Sequence, residues 1–255
     1  MNTLLEVDGL TKQFVKDDAG ILALRDLTLS VEEGSFVTVL GRSGCGKSTL
    51  LNLVAGLTAP TEGTVRYRGR QVSGPRTAIG YLTQSDTLMP WRDVRHNVEM
   101  PMEIAGVPSD KRRQRSSGLI AKVGLQGFDR HYPRELSGGM RRRVTLARML
   151  AGEPETLLLD EPFGALDAQL RADLQAELLR LWQGSGQTVV FVTHDIEEAL
   201  LLGDRIVVLG RLGRIICDKP IDIARPRDAD ELRVDPAFVA LHREMTAALK
   251  KGAEA

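Results

Sequence analysis

Apolar positions along the chain recur with two different periods, and their succession predicts an α/β protein. Leu5-Glu6-Val7-Asp8 and Leu27-Thr28-Leu29-Ser30-Val31 alternate apolar with polar, as strands of a half-buried antiparallel sheet do. Thr64 to Gly69 alternates again after the turn chemistry of Pro60-Thr61-Glu62-Gly63. Phe36 to Leu40, Thr156 to Leu159 and Thr188 to Thr193 are instead short and largely apolar throughout, the pattern of parallel strands buried on both faces. Ala78 to Leu82 reads as a further short strand that delivers Gln84 into a loop. Helical spacing runs from Leu50 to Leu57 and returns at Leu170, Leu174, Leu178 and Leu181, a stripe assigned to core packing.

From Asp86 to Gly152 the pattern changes, with Pro90, Pro101, Pro108 and Pro133 separating segments that read helical. Ser109 is the predicted N-cap of a helix over Asp110 to Val123 that ends at Gly124, with Arg112, Arg113 and Arg115 on its solvated face. This stretch is predicted to be a helical subdomain inserted into an α/β core. Arg205 to Leu209 and Arg214 to Cys217 form a closing hairpin around Gly210 and Gly213. The charge-rich stretch from Pro226 to Asp235 reads as a linker, and Phe238, Leu241, Met245 and Leu249 space as one face of a terminal helix. The expected organisation is one domain over residues 1–255. Residues 1–85 and 153–220 would make the core with an antiparallel β subdomain, 86–152 the helical insertion, and 221–255 a tail with a short helix.

Composition narrows the partners. Thirty-four basic residues balance thirty-four acidic ones, which gives no support for nucleic acid or an anionic membrane surface as the main target. Cys45 and Cys217 lie far apart and lack metal-ligand spacing, so both are expected to be reduced thiols in a cytosolic protein. No apolar run approaches the roughly 18 residues of a spanning helix, and the N-terminus lacks a basic-then-apolar signal. The chain is expected in the cytoplasm, with any membrane association through a partner.

The chemistry centres on Gly41-Arg42-Ser43-Gly44-Cys45-Gly46-Lys47-Ser48-Thr49, set between a strand and a helix. Its glycines let backbone N–H groups converge, and the following helix adds uncapped donors and a positive dipole end. Such a nest suits phosphate. Lys47 would reach the β/γ-phosphates and Ser48 would ligate Mg²⁺. Cys45 offers a thiol whose protection from alkylation would report nucleotide. A second anion-ready helix start lies at Ser137-Gly138-Gly139, where Ser137 caps and the glycine pair leaves the first amides uncovered. Glycine weakens a helix by up to ~1 kcal/mol and needs a reason to be there.

Two carboxylates end a buried strand: Asp160 would hold Mg²⁺ and Glu161 would polarise the attacking water. His194 leaves another strand at the same edge, where it could hydrogen-bond a γ-phosphate. Gln84, placed after a strand of a nucleotide fold, is a candidate for a Mg²⁺ or water contact. Asp167 is either the N-cap of the helix that follows it or a contact to a second subunit. Phe14, judged by position alone, fits the core better than a base stack.

In this order the elements resemble the nucleotide-binding subunit of an ATP-binding cassette (ABC) transporter, over Leu4 to about Gly213. Gly41 to Thr49 matches the Walker A loop, Gln84 the Q-loop, Leu136 to Met140 the family signature, and Leu157 to Glu161 the Walker B strand. Ala165 to Asp167 matches the D-loop and His194 the switch histidine. The resemblance implies a P-loop NTPase fold: a RecA-like mixed-sheet core, an antiparallel β subdomain and an inserted helical subdomain. It also turns Phe14 into an adenine-stacking residue.

The implied mechanism sandwiches two ATP molecules in an ATP-dependent homodimer, with Ser137, Gly138 and Gly139 serving the partner's γ-phosphate. Pro90-Trp91, Asn97-Val98, the stretch Phe163 to Asp167 and the stretch Val192 to Ala199 are similar to bacterial importers of nitrate, sulfonates and taurine. That implies two transmembrane permease subunits docking near Gln84 to Trp91, in a groove lined by Leu88, Met89 and Trp91 unless these are buried within the subunit. A periplasmic or lipid-anchored solute-binding protein would join through the complex, with no nucleic acid. The chain would sit peripherally at the cytoplasmic face of the inner membrane.

Three features depart from the family pattern: Arg142 before Arg143 where Gln is usual, Leu82-Thr83 where an aromatic commonly precedes the loop Gln, and Arg211-Leu212-Gly213-Arg214 in place of a Pro-Gly turn. Competing readings are a soluble ABC ATPase in DNA repair or translation, a nonhydrolytic ATP-binding module, and an importer of another solute such as a thiamine precursor.

Overall fold

The computed structural model describes residues 2–16, 19–85, 87–164 and 166–254. Strands β1 (Thr3–Lys16) and β2 (Ala19–Glu32) are followed by β3 (Phe36–Gly41), α1 (Lys47–Val54), β4 (Glu62–Tyr67) and β5 (Arg70–Gln71). Next come β6 (Ile79–Leu82), α2 (Val94–Ile104), α3 (Ser109–Lys122), a 3-10 turn at Pro133–Glu135, α4 (Gly138–Ala151), β7 (Thr156–Asp160) and α5 (Ala168–Trp182). The chain ends with β8 (Thr188–Thr193), α6 (Ile196–Leu202), β9 (Arg205–Leu209), β10 (Ile215–Pro220), α7 (Ala229–Leu232) and α8 (Pro236–Glu254). Two compact units result: one takes the chain up to Arg76 and again from Gly186, the other is Thr77–Ser185. They part at other places than the 85/86 and 152/153 breaks read from sequence, so β6, β7 and α5 go with the helices.

In the first unit the alternating segments form an antiparallel sheet in the order β2-β1-β4-β5. Leu5, Val7, Leu27, Leu29, Val31, Val65 and Tyr67 point inward, while Asp8, Thr28, Ser30 and Arg66 are exposed. The period-2 pattern thus decides which face is dry. The continuous apolar runs form β10-β9-β3-β8, in which β3 lies parallel to both β8 and β9 and β10 closes antiparallel on β9. Every residue of β3 and of β8 is buried.

The C-terminal part is not the tail with a linker and a short helix that the charge pattern suggested. Helix α8 spans 19 residues and sinks Phe238 and Met245 into the cluster of Leu40, Ala199, Leu200, Ile206 and Val208. Leu232 joins the same cluster. Arg227 donates from Nη1 to the carbonyls of Leu200 (2.8 Å) and Gly203 (2.5 Å), and Arg225 pairs with Asp204 at 2.8 Å. Charged side chains that hydrogen-bond the end of α6 hold this segment to the core, which composition alone could not reveal.

In the second unit β6 and β7 pair in parallel, and α4 packs against α2 and α3. Leu174 and Leu178 are buried on α5, with Leu170 and Leu181 half-buried at the stripe's ends. Helix α3 begins at Ser109 itself, with Pro108 as its N-cap and no side-chain cap, one residue earlier than expected. Of its arginines only Arg113 is exposed. Arg112 donates to the Val107 carbonyl at 2.8 Å and lies between Glu99 and Glu103, and Arg115 pairs with Glu153. Pro101 lies inside α2 rather than between helices, where it removes one donor without ending the helix. Among the described residues, no helix is long and apolar enough to cross a membrane.

Candidate functional site

Strand β3 ends at Gly41, and the loop that follows turns through left-handed torsions at Gly44 (φ 80°) and Gly46 (φ 107°). Gly46 is also the N-cap of α1 and offers no side chain to its first amides, which are left pointing out of the helix. A Cβ at Gly46 would lie 2.4 Å from Leu24 Cδ2 and 2.9 Å from the Ala23 carbonyl, so β2 backs the loop too closely for any other residue. Lys47 is buried, its Nζ donating to the carbonyls of Gly41 (2.8 Å) and Arg42 (3.1 Å). Ser43 and Ser48 are exposed and Thr49 is half-buried. Cys45 is buried under the loop, which corrects the idea that its alkylation would report nucleotide: the thiol is covered by the protein itself.

Strand β8 runs beside β3 with Leu40 opposite Thr193, so Gly41 and His194 leave neighbouring strands at the same end. His194 is exposed. Its surroundings are braced: the Thr193 hydroxyl donates to the Glu198 carboxylate, the Asp195 amide donates to Thr193 Oγ1 at 3.0 Å, and Asp195 caps α6 by accepting from the Glu198 amide at 3.2 Å. Phe14 lies on β1 opposite Ile21, 41% exposed, with Lys12 Nζ 4.9 Å from its ring centroid. Its position in an amphipathic segment suggested core. The ring stands instead on the open part of the β1–β2 hairpin, the same hairpin whose Ala23 and Leu24 back Gly46.

The second unit carries the other candidates. Leu82 pairs with Leu159, so β6 and β7 deliver Gln84 and Asp160-Glu161 from adjacent strand ends. Gln84 is exposed and Asp160 is buried. Tyr81 hydrogen-bonds Asp160. Burial, then the Asp160 charge and that hydrogen bond, push the phenol well above its usual range. Glu161 has φ 43°, a left-handed conformation costly for a residue with a Cβ, and it precedes Pro162.

Ser137 caps α4 through the Met140 amide at 3.3 Å. The two glycines after it differ: a Cβ at Gly138 would make only an ordinary 3.7 Å contact with Arg141 Nη2, whereas a Cβ at Gly139 would lie 2.1 Å from Leu170 Cδ2. Asp167 caps α5 through the Leu170 amide at 3.0 Å. Asp86 and Ala165, named in the sequence reading, lie outside the described residues.

A groove of about 520 Å³ opens in this unit, lined among others by Tyr81, Thr87, Met89, Ile104, Met149 and Pro154. Of the three residues expected there only Met89 lines it; Leu88 is half-buried elsewhere and Trp91 is 72% exposed. The rim is held by Asn97, fully buried, whose amide group accepts from the Met89 amide at 2.8 Å and donates to the Arg92 carbonyl at 2.9 Å. Sequence reasoning gave Tyr81 no role beyond its strand. It quoted Asn97, Thr193 and Glu198 only as points of resemblance and Arg142 only as a departure.

Residues 24–164 match the model of the ABC transporter family. An uncharacterized ABC transporter ATP-binding protein of Methanocaldococcus jannaschii is 50% identical over 229 residues, 89% of this chain and 86% of that one. The taurine import ATP-binding protein TauB of Escherichia coli is 43% identical over 230 residues, 88% of this chain and 90% of that one. Among solved structures, the dimeric post-hydrolysis state of the ATP-binding cassette MJ0796 bound to ADP and Pi superposes with a TM-score of 0.79 at 32% identity, covering 87% of this chain and 100% of that one. With a glycine nest leading into a helix and paired carboxylates closing a strand, on a fold that superposes on a cassette, this chain belongs to the ABC transporter family, among its ATP-binding subunits.

Proposed function

We propose that this chain is the ATPase subunit of an importer for taurine or a related small anion such as a sulfonate or nitrate. The observation that carries the reading is the uncapped, left-handed glycine nest at Gly41 to Thr49, on a chain so similar over most of its length to a taurine import ATP-binding protein. The nest amides and the N-terminus of α1 suit the phosphates, with Lys47 at the β/γ end. Phe14 offers its ring to the adenine. Ser48 in the first unit, and Gln84 and Asp160 in the second, each offer a hard oxygen donor of the kind Mg²⁺ takes, and the ion when bound neutralises phosphate charge. Glu161 orients and polarises the attacking water, and His194 donates to the γ-phosphate.

The partner copy supplies the other face of each nucleotide through Ser137, Gly138 and Gly139, with Asp167 at the seam. In the dimer the groove of each chain receives a helix of one of two permease subunits, which hold the chains at the cytoplasmic face of the membrane and link them to a solute-binding protein outside. Removing the Glu161 charge tests this. Glu161→Gln, mixed with ATP and Mg²⁺, should elute as a dimer on size exclusion while the wild type hydrolyses ATP. A variant that stays monomeric beside an active wild type would overturn the sandwich.

A further inference from the structure

Two arginines of α4 grip the main chain on either side of Gln84. Arg142, 5% exposed, donates from Nη1 to the Thr83 carbonyl at 2.7 Å. Arg148, six residues on, donates from Nη1 to the Thr87 carbonyl at 2.7 Å and from Nη2 to Thr87 Oγ1 at 2.5 Å. Arg142 makes another bond, from Nε to the Pro162 carbonyl at 2.6 Å, and Pro162 directly follows Glu161. One buried guanidinium therefore joins the residue before Gln84 to the residue after Glu161.

The second bond falls where the backbone most needs a restraint. Glu161 has φ 43°, and the proline after it narrows its choices further. Such a conformation persists only where the surroundings over-determine it. Fixing the Pro162 carbonyl fixes the peptide that follows and limits how Glu161 can relax. A planar guanidinium carries its donors in a rigid fork, so it can hold two carbonyls at a set spacing. Glutamine, the residue the family pattern would place here, is shorter and carries its donors on one nitrogen.

We propose that Arg142 is a positioning residue for ATP hydrolysis, holding the Glu161 carboxylate and Gln84 in one fixed relation. The proposal rests on the roles given to Glu161 and Gln84 above. It also supplies a route inward from the groove. Thr87 and Arg148 line the groove, so an occupant that shifts them moves the main chain next to Gln84 and, through Arg142, the main chain next to Glu161. The elements in that route are all within one compact unit.

Full-length wild type, Arg142→Leu, Arg142→Lys and Arg142→Gln would be compared for ATP turnover and for hydrogen exchange. Arg142→Leu, which removes every donor, should lower kcat by about 10- to 100-fold, the scale of a displaced catalytic group, with KM for ATP within about twofold. Arg142→Lys and Arg142→Gln should each recover part of the loss, because an ammonium or a side-chain amide still reaches a carbonyl. Exchange at the Met89 and Gly164 amides, which donate to Asn97 Oδ1 and to the Glu161 carbonyl, should accelerate together in Arg142→Leu while the middle of α4 keeps its protection. Wild-type kcat in Arg142→Leu, or a loss matched by faster exchange throughout, would overturn the proposal. Where a variant does not fold, the wild type decides: in rising denaturant these two amides should open together, and separate opening would overturn it. A wild type that hydrolyses no ATP would refute the role of Glu161 instead, leaving exchange to judge the arginine.

Discussion

The Tyr81 hydroxyl hydrogen-bonds the Asp160 carboxylate and ties the ends of β6 and β7 together at the point where both strands deliver candidate site residues. In the unfolded chain this phenol ionises near pH ~10, whereas in the fold its pKa lies higher. Its contribution to stability is therefore complete below about pH 10 and is lost as pH rises toward the folded-state pKa. Tyr81→Phe should cost about 1.5–3 kcal/mol at neutral pH, as expected for a bond to a charged acceptor. It should also flatten the loss of stability above pH ~10. Urea unfolding at several pH values checks both, and an unchanged alkaline limb would count against the bond.

Phe14 separates binding from stability. Its ring is too exposed for much core burial to be at stake, so Phe14→Ala should leave the thermal midpoint nearly unchanged. Loss of a base-stacking aromatic costs about 1–3 kcal/mol, roughly 5- to 150-fold in Kd. Titration with a fluorescent ATP analogue gives the comparison. Unchanged affinity would return the adenine to some other surface.

Ile104 lines the groove and is 78% exposed, an apolar side chain in want of a cover. Ile104→Asp places a charge where a permease helix would have to bury it. Pull-down from native membranes in mild detergent should recover a multi-span permease with the wild type and not with the variant, while both keep their affinity for ATP. Equal recovery would move the docking site off this groove.

Met245 tests whether α8 belongs to the core. It is fully buried among Leu40, Leu200 and Val208 in a helix that sequence reasoning took for part of a tail. Met245→Ala should cost about 2–5 kcal/mol, the range for emptying a core site, and truncation before Pro236 should cost more. A truncated chain as stable as the full one in urea would mean that the helix merely rests on the surface.

The strands, the glycine nest, the caps at Ser137 and Asp167 and the terminal carboxylates were legible in the sequence because each depends on local physics. Burial on one or both faces writes a period into a strand, left-handed torsions call for glycine, and a cap needs a short oxygen beside the first amides. The exposure of Phe14, the place of α8 and the reason for Gly139 depended instead on what packs opposite. Leu170 fills the space a Cβ would take at Gly139, and nothing in the order of residues marks that neighbour. The contacts of Arg142 reach across 20 and 59 residues and end on main-chain carbonyls. A carbonyl acceptor is the same at every residue and leaves no trace in residue type, so only the tertiary structure could say where these arginines go.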